Sequence, residues 1–215
     1  MTTNNRMMLI AGVLLAGSAL LGAGLLWVTN WHAEPYIEEN KRQTLLRSLG
    51  NVMPANYYDN NLLEDIIYVN SRALTAGRIQ SKVYRARKNN IASGIAMTVV
   101  APDGYNGTIL LLIGLNYDGV ITGVSVLAHQ ETPGLGDAIE AEKSDWIQVF
   151  KGLDRDNPNA EQWKVKKDGG QFEQFTGATI TPRAIVKAIY TGLNFYSQHR
   201  DVLYNLDANS EYSEQ

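Results

Sequence analysis

The chain has 215 residues, no cysteine, 45% hydrophobic and 19% charged residues, and a formal net charge of −3. Without cysteine there is no disulfide, no Cys-ligated iron–sulfur cluster, no cysteine nucleophile and no lipidated N-terminal cysteine. A slightly acidic chain with no basic run is not built for nucleic acid, and its length suits one domain plus accessories.

The first element is the strongest signal. Residues 7–28, MMLIAGVLLAGSALLGAGLLWV, run without a charge. About 22 residues at ~1.5 Å rise cross a ~30 Å hydrocarbon core. Gly12, Gly17, Gly22 and Gly24, with Ala11, Ala16, Ala19 and Ala23, would let another membrane helix approach closely. Trp27 and Trp31 suit an interface. The run exceeds the h-region of a signal peptide, and no clear A-x-A site follows, so a retained anchor is expected. Charge counting leaves its orientation open: Arg6 precedes the helix, while Lys41, Arg42 and Arg47 follow it among several glutamates.

Residues 34–50 read as a polar helix ended by Gly50. Residues 81–86 and 91–101 read as strands, joined to the next by the turn-rich PDGYNG. Residues 108–115 and 120–128 form a hairpin about an Asp-Gly turn. Residues 138–150 read as a helix, 162–167 as a short strand and 168–170 as a turn. Residues 182–203 read as an amphipathic helix with Ile185, Ile189, Leu193 and Tyr196 on one face. The tail NSEYSEQ reads as disordered. The sum is an α+β fold with a mostly antiparallel sheet behind a single transmembrane helix.

Two stretches could carry chemistry. In TGATITP, Pro182 suits the first helical position and Thr181 the N-cap before it. The start of that helix would offer free N–H groups and a positive dipole end to a phosphate. Gly177 and Ala178 would let a bulky group lie against the backbone, with Thr179 beside it. A capped helix after a turn accounts for the same residues without chemistry. So does a hydroxyl that merely binds phosphate, because threonine is a poor nucleophile and no base neighbours it in sequence.

The second stretch is HQETPGLGD, residues 129–137. Its Pro-Gly and Gly-Leu-Gly steps force a tight loop opened by His129, Glu131 and Thr132. Leu135, between Gly134 and Gly136, could cover a flat ligand; a plain strand-to-helix loop is the alternative. His32 and His199 are far away in sequence, and no metal site is expected.

Together with the anchor and the juxtamembrane segment, DGGQFEQFTGATITPRAIV and LIGLNYDGVITGVSVLAHQETPGLGD resemble the FMN-binding domain of the Rnf electron-transport complex, where it forms the G subunit. The same domain occurs in the corresponding flavin-bearing component of the sodium-pumping NADH:quinone oxidoreductase. The resemblance covers essentially the whole chain. The Asp-Gly-Gly lead-in, Pro182 and the shorter chain look more like the Rnf protein.

The resemblance implies one covalent FMN per chain, held as a phosphoester on Thr179 and placed there by a flavin transferase. Thr176 stands where serine is commoner. Thr176, Gly177, Ala178 and Thr181 would shape the phosphate site, and Glu131, Thr132, Gly134 and Leu135 would contact the ring system. Thr179 would be an attachment point, with no acid–base catalyst assigned.

The implied division is a tail and transmembrane helix (1–31), a juxtamembrane helical segment (32–80), an extracytoplasmic FMN-binding domain (81–205) and a disordered tail (206–215). The implied setting is single-pass in a bacterial inner membrane, with the domain on the periplasmic side and the other membrane and soluble subunits of the complex as partners. The complex would couple electron flow between ferredoxin and NAD to cation transport. A non-redox anchored scaffold or sensor is the alternative from another class.

Overall fold

A computed structural model describes residues 3–214; residues 1–2 and 215, which belong to the expected N- and C-terminal tails, lie outside the described residues. The first element is a helix, α1 (Thr3–Val52). The chain divides into two units, Met1–Thr44 and Leu45–Gln215.

The first unit consists of the α1 residues up to Thr44. Its large apolar side chains, from Leu14 to Trp27, face outward rather than into protein. The helix is long and apolar enough to cross a membrane, with a mean hydropathy of 2.2 in its most apolar window. Two hydroxyls in and beside the apolar stretch are satisfied locally, as a hydrocarbon setting would demand: Ser18 Oγ donates to the Leu15 carbonyl at 3.0 Å and Thr29 Oγ1 to that of Leu25 at 2.7 Å. Trp27 and Trp31 stack at 6.0 Å. The two helices expected over 7–28 and 34–50 are one continuous element. Pro35 is the only proline inside it. A proline removes a single intrahelical bond, and no second breaker reinforces it.

The second unit is built on a six-stranded sheet: β1 (Ile66–Asn70), β2 (Ser81–Lys88), β3 (Ile91–Gly104), β4 (Gly107–Asn116), β5 (Ile121–Ala128) and β6 (Glu211–Ser213). The order is β5-β4-β3-β2-β1-β6. Every neighbouring pair is antiparallel except β1–β6, which is parallel. Two further helices are α2 (Arg72–Thr75) and α3 (Ile180–Asn205).

Three local expectations are corrected. The tail read as disordered supplies β6: β1 leaves an open edge, and the tail fills it, with Tyr68 N–H donating to the Ser210 carbonyl at 3.0 Å. Residues 138–150 are not one helix but parts of two 3-10 turns, Gly136–Ile139 and Asp145–Phe150. Extended backbone at Glu140 and Ser144 separates them, and the Ser144 side chain caps the second. Residues 162–167 are no strand but 3-10 turns with one bridge, Val165 to Phe172. β1 itself lies before residue 81, where the sequence reading opens the domain, and pairs with β2.

Both faces of the sheet are covered. On one face, Ile95, Met97 and Val99 of β3 and Ile109, Leu111 and Ile113 of β4 pack with Ile185, Ile189 and Leu193 of α3. On the other, Tyr84, Ala96 and Leu112 meet Leu49 and Val52 from the end of α1, with Met53 and Leu62. Each Val, Leu, Ile or Met side chain among them contributes about 1.5–3 kcal/mol on full burial. This double cover explains why β4 reads as a continuous apolar run rather than an alternating one.

The end of α1 comes unusually close to the sheet. Thr122 Oγ1 donates to the Val52 carbonyl. A Cβ on Gly114, paired with Gly123 across β4 and β5, would lie 2.1 Å from that same carbonyl oxygen. At the far end of α3, Arg85 is buried within the unit. It donates to the carbonyls of Leu203 (3.1 Å) and Leu206 and pairs with Asp65. A cation on the last carbonyls of a helix satisfies acceptors that have no helical partner.

Gly114→Ala is expected to destabilise the protein by about 1–3 kcal/mol, because backbone, not a flexible side chain, must yield. The check is the thermal midpoint of the full chain in detergent; an unchanged midpoint would show that α1 does not seat here.

Candidate functional site

The two stretches singled out in the sequence meet at one cavity of about 250 Å³. It is lined by Glu131, Thr132, Leu135 and Gly136 from the loop after β5, and by Gly177 to Thr181 at the start of α3. Tyr105, from the β3–β4 turn, completes the lining. Of the residues expected at the site, Glu131, Thr132, Leu135, Gly177, Ala178, Thr179 and Thr181 are brought together. Thr176 and Gly134 stand outside the lining, and Tyr105, Gly136 and Ile180 were not foreseen.

Local chemistry explains the α3 side. Residues 175–178 form a tight turn, closed by the Ala178 N–H on the Phe175 carbonyl at 3.1 Å. Gly177 takes a φ of +82°, which L side chains rarely adopt. Before the turn, Phe175 packs edge-on against Trp146 at 5.1 Å. Trp146 Nε1 donates to the Glu173 carbonyl at 2.8 Å. After the turn, Arg183 makes a two-pronged pair with Asp168, at 2.6 and 2.8 Å. That pair holds the Asp-Gly-Gly segment against the first turn of α3. It raises the Arg183 guanidinium and lowers the Asp168 carboxyl from their ordinary values.

The helix begins earlier than the sequence suggests. Its N-cap residue is Thr179, not Thr181, and Thr179 makes no side-chain capping bond. Thr181 is fully buried, and its hydroxyl donates to Glu131 instead. A partner 50 residues away has replaced the helix's own N–H groups. Pro182 is tolerated one turn in because first-turn N–H groups have no helical acceptor. By the same geometry the N–H groups of Ile180 and Thr181 are free of intrahelical bonds.

The three threonines therefore differ. Thr181 is committed, and Thr176 is exposed outside the cavity. The Thr179 side chain is half-buried and lines the cavity. It is the one cavity hydroxyl of the motif without a hydrogen-bond partner among the described residues.

Glu131 organises the other side. The loop was expected to present it to a ligand, but it is 4% exposed. Its carboxylate accepts from the Tyr105 N–H (3.3 Å), the Asn106 N–H (3.1 Å) and the Thr181 hydroxyl. Asn106 Nδ2 also donates to Thr132 Oγ1 at 3.1 Å. Glu131's own N–H donates to His129 Nδ1 at 3.0 Å. A neutral His129 then carries its proton on Nε2, which faces Glu140 at 2.8 Å. Lys143 Nζ bridges Asp137 (2.7 Å) and Glu140 (2.8 Å). This holds both carboxyls below their ordinary values and the Lys143 ammonium above its own.

Gly136 sits directly behind the Thr181–Glu131 bond, where a Cβ would lie 3.0 Å from both side chains. The Gly-Leu-Gly step is the sequence signal for this contact. Nothing flagged Tyr105 or the aromatic group around Trp146, because they approach from distant parts of the chain.

The electrostatics of the cavity are unusual for a phosphate site. Among the described residues, no lysine or arginine lines it. Its electropositive feature is the start of α3, and its one formal charge is the buried Glu131 carboxylate. Such a cavity offers an apolar wall, a few hydrogen-bonding groups and one available hydroxyl.

Comparison with known proteins places this geometry. Residues 104–194, which contain the whole cavity, match the family described as FMN-binding domain. Residues 1–52 match the family described as RnfG N-terminal region. A curated protein of Vibrio cholerae serotype O1 (strain M66-2), named as the G subunit of the ion-translocating oxidoreductase complex, is 42% identical over 194 residues, covering 90% of this chain and 92% of the relative. A protein of the same name from Shewanella piezotolerans is 42% identical over 204 residues, covering 95% and 96%. Another, from Aliivibrio fischeri (strain ATCC 700601 / ES114), is 39% identical over 201 residues, covering 94% and 96%.

Glu131→Ala leaves two backbone amides and a hydroxyl without their acceptor. It is expected to cost about 1–3 kcal/mol of unfolding free energy, read as a lowered thermal midpoint. The Lys143 pairs give a pH dependence with a definite sign. Depressed carboxyls contribute stability that is complete above their ordinary range and lost as pH falls through it toward the depressed values. The midpoint difference between wild type and Lys143→Met should shrink on going from about pH 6 to about pH 3. A difference independent of pH would remove the pairs from the stability of this loop.

Proposed function

The chain belongs to the family of G subunits of ion-translocating oxidoreductase complexes, and we propose that it carries FMN covalently on Thr179 and passes electrons through it. It is an FMN-binding electron-transfer subunit of such a complex, with one helix among the described residues long and apolar enough to cross a membrane. The match of residues 1–52 to the RnfG N-terminal region favours this complex over the quinone reductase that shares the flavin domain.

The observation that carries the attachment reading is the state of Thr179: a cavity-lining hydroxyl that caps nothing and has no partner among the described residues. Attachment is net condensation. A bond forms between Thr179 Oγ and the flavin phosphorus. Relative to free FMN and threonine, the product lacks the elements of one water. A separate flavin transferase is expected to catalyse the step from a donor whose flavin phosphate is activated as an anhydride, the other phosphate half departing with the hydroxyl proton, because no base adjoins Thr179 among the described hydrogen bonds.

The electrostatics support a covalent link. A free phosphate monoester carries close to two negative charges at neutral pH, as phosphorylated side chains do. Among the described residues the cavity lining has no cationic side chain to meet that charge, and Glu131 adds another negative one. A diester carries a single charge, which suits the N–H groups and dipole of a helix start. The bond then does what a cation would otherwise do.

The fit extends to the ring system. FMN supplies the electron-carrying chemistry when bound; the protein supplies position and environment. Leu135, 45% exposed, offers an apolar surface beside Gly177, with its Cδ2 3.5 Å from where a Cβ would sit on that glycine. Thr132 lies in the same lining with hydrogen-bonding capacity. Glu131 acts as a frame rather than a ring contact, since its oxygens are engaged by the protein itself. Thr176 and Gly134 shape the two turns from outside the cavity.

The remaining reading rests on the resemblance. The complex couples electron flow between ferredoxin and NAD to cation transport. The anchor lies in a bacterial inner membrane, the flavin domain faces the periplasm, and the partners are the other subunits.

Thr179→Ala should abolish covalent flavin while changing stability by no more than about 0.5 kcal/mol, as for a surface hydroxyl without a partner. Thr179→Ser should retain attachment. The measurement is the intact mass of the denatured chain from its native membrane with in-gel flavin fluorescence. An adduct of FMN less one water that persists in Thr179→Ala overturns the assignment.

A further inference from the structure

One large side chain in the cavity lining belongs to neither motif. Tyr105 sits at the tip of the β3–β4 hairpin, in the turn between Gly104 and Gly107. Turns of this kind favour Gly, Asn and Asp, and PDGYNG has those residues around a single bulky one. Tyr105 is 65% exposed. Among the described residues its side chain makes no hydrogen bond and no aromatic contact, although it lines the cavity. A solitary exposed aromatic needs no explanation by itself. This one differs because its backbone is fixed by the site.

The fixing is specific. The N–H groups of Tyr105 and Asn106 both donate to the carboxylate of Glu131, which also accepts from Thr181. Gly104 makes the approach possible, since a Cβ there would stand 2.9 Å from Glu131 Oε1 and 2.3 Å from the Gly107 carbonyl oxygen. One buried carboxylate therefore sets the hairpin tip relative to the start of α3. The aromatic ring is held at the cavity by its main chain while the side chain has no hydrogen-bond or ring partner among the described residues.

We infer that Tyr105 is a positioning residue for the flavin, its phenol ring lying against the isoalloxazine in the cavity that Leu135 also lines. This rests on the reading of Thr179 as the attachment point. The chemistry fits: an aromatic ring stacks on a flat π-system, and a hydrogen-bonding tip leaves the outer edge wettable. A leucine and a tyrosine give the flavin apolar contact without adding charge to a cavity that has no cation.

The test uses the full chain matured in its native membrane and purified in detergent, as wild type, Tyr105→Phe and Tyr105→Leu. Intact mass is measured first, then flavin fluorescence before and after denaturation. A phenol in contact quenches an excited flavin by passing an electron to it and taking it back. The wild type should be dim when native and bright when denatured. Tyr105→Leu should lose most of that quenching. Tyr105→Phe should lose part of it, since phenyl stacks but is harder to oxidise. A merely structural role would not separate these two variants. An adduct in all three chains with equal native-to-denatured fluorescence ratios overturns this inference and leaves the attachment reading standing. Loss of the adduct in Tyr105→Leu alone also overturns it, assigning Tyr105 to maturation instead. A wild type with no adduct overturns the attachment reading, and this inference with it.

Discussion

The site depends on one buried carboxylate. Glu131 accepts from the backbone at the hairpin tip and from a hydroxyl in the first turn of α3, while its own N–H rests on His129. These groups come from three separate parts of the chain. A buried charge is tolerated only when hydrogen bonds replace the water it has lost, so the requirement runs both ways. The carboxylate needs its three donors, and the hairpin tip and the first turn of α3 are aligned against its loop because they must supply them. The cavity is the space left among segments that a single side chain has gathered.

The wider fold keeps that arrangement rigid. The sheet is covered on both faces, by α3 on one and by the end of α1 on the other. Glycines make the second cover close: Gly114 and Gly123 let the backbone around Asn51 and Val52 lie almost on the strands. α3 is fixed at both ends. Its first turn is held by Thr181 and Arg183, and its last carbonyls are met by Arg85. The helix that presents Thr179 therefore has little freedom to slide along the sheet.

Much of this could be read in the sequence, for physical reasons that are local. The anchor is a matter of length and apolarity, the hairpin of an Asp-Gly turn between β-branched runs, and the α3 face of period. The meeting of the two motifs came from the resemblance, and the cavity lining agrees with it. What escaped is long-range. Thr181 looked like a cap because capping is judged from the next few residues, whereas its hydroxyl is taken by a residue 50 positions earlier. The tail looked disordered because its composition is polar, but the parallel edge of β1 supplies its backbone partners. Residues 138–150 carry helical apolar spacing, yet Ser144 restarts the turn and divides them. Tyr105 had no local signal at all beyond being out of place in a turn.

At position 105 the hairpin tip is clamped through a main-chain amide, not a side chain. Every residue except proline has such an amide, so the frame places almost no demand on which side chain stands at position 105. On the inferred placement of the flavin against Tyr105, structural integrity and cofactor environment are thereby uncoupled at this point. The same scaffold could be retuned in colour, lifetime or electron affinity by changing one residue, with no need to refold the turn that carries it. For an evolving electron carrier, that makes the lip of the cavity a place where redox character can drift while the architecture stays fixed.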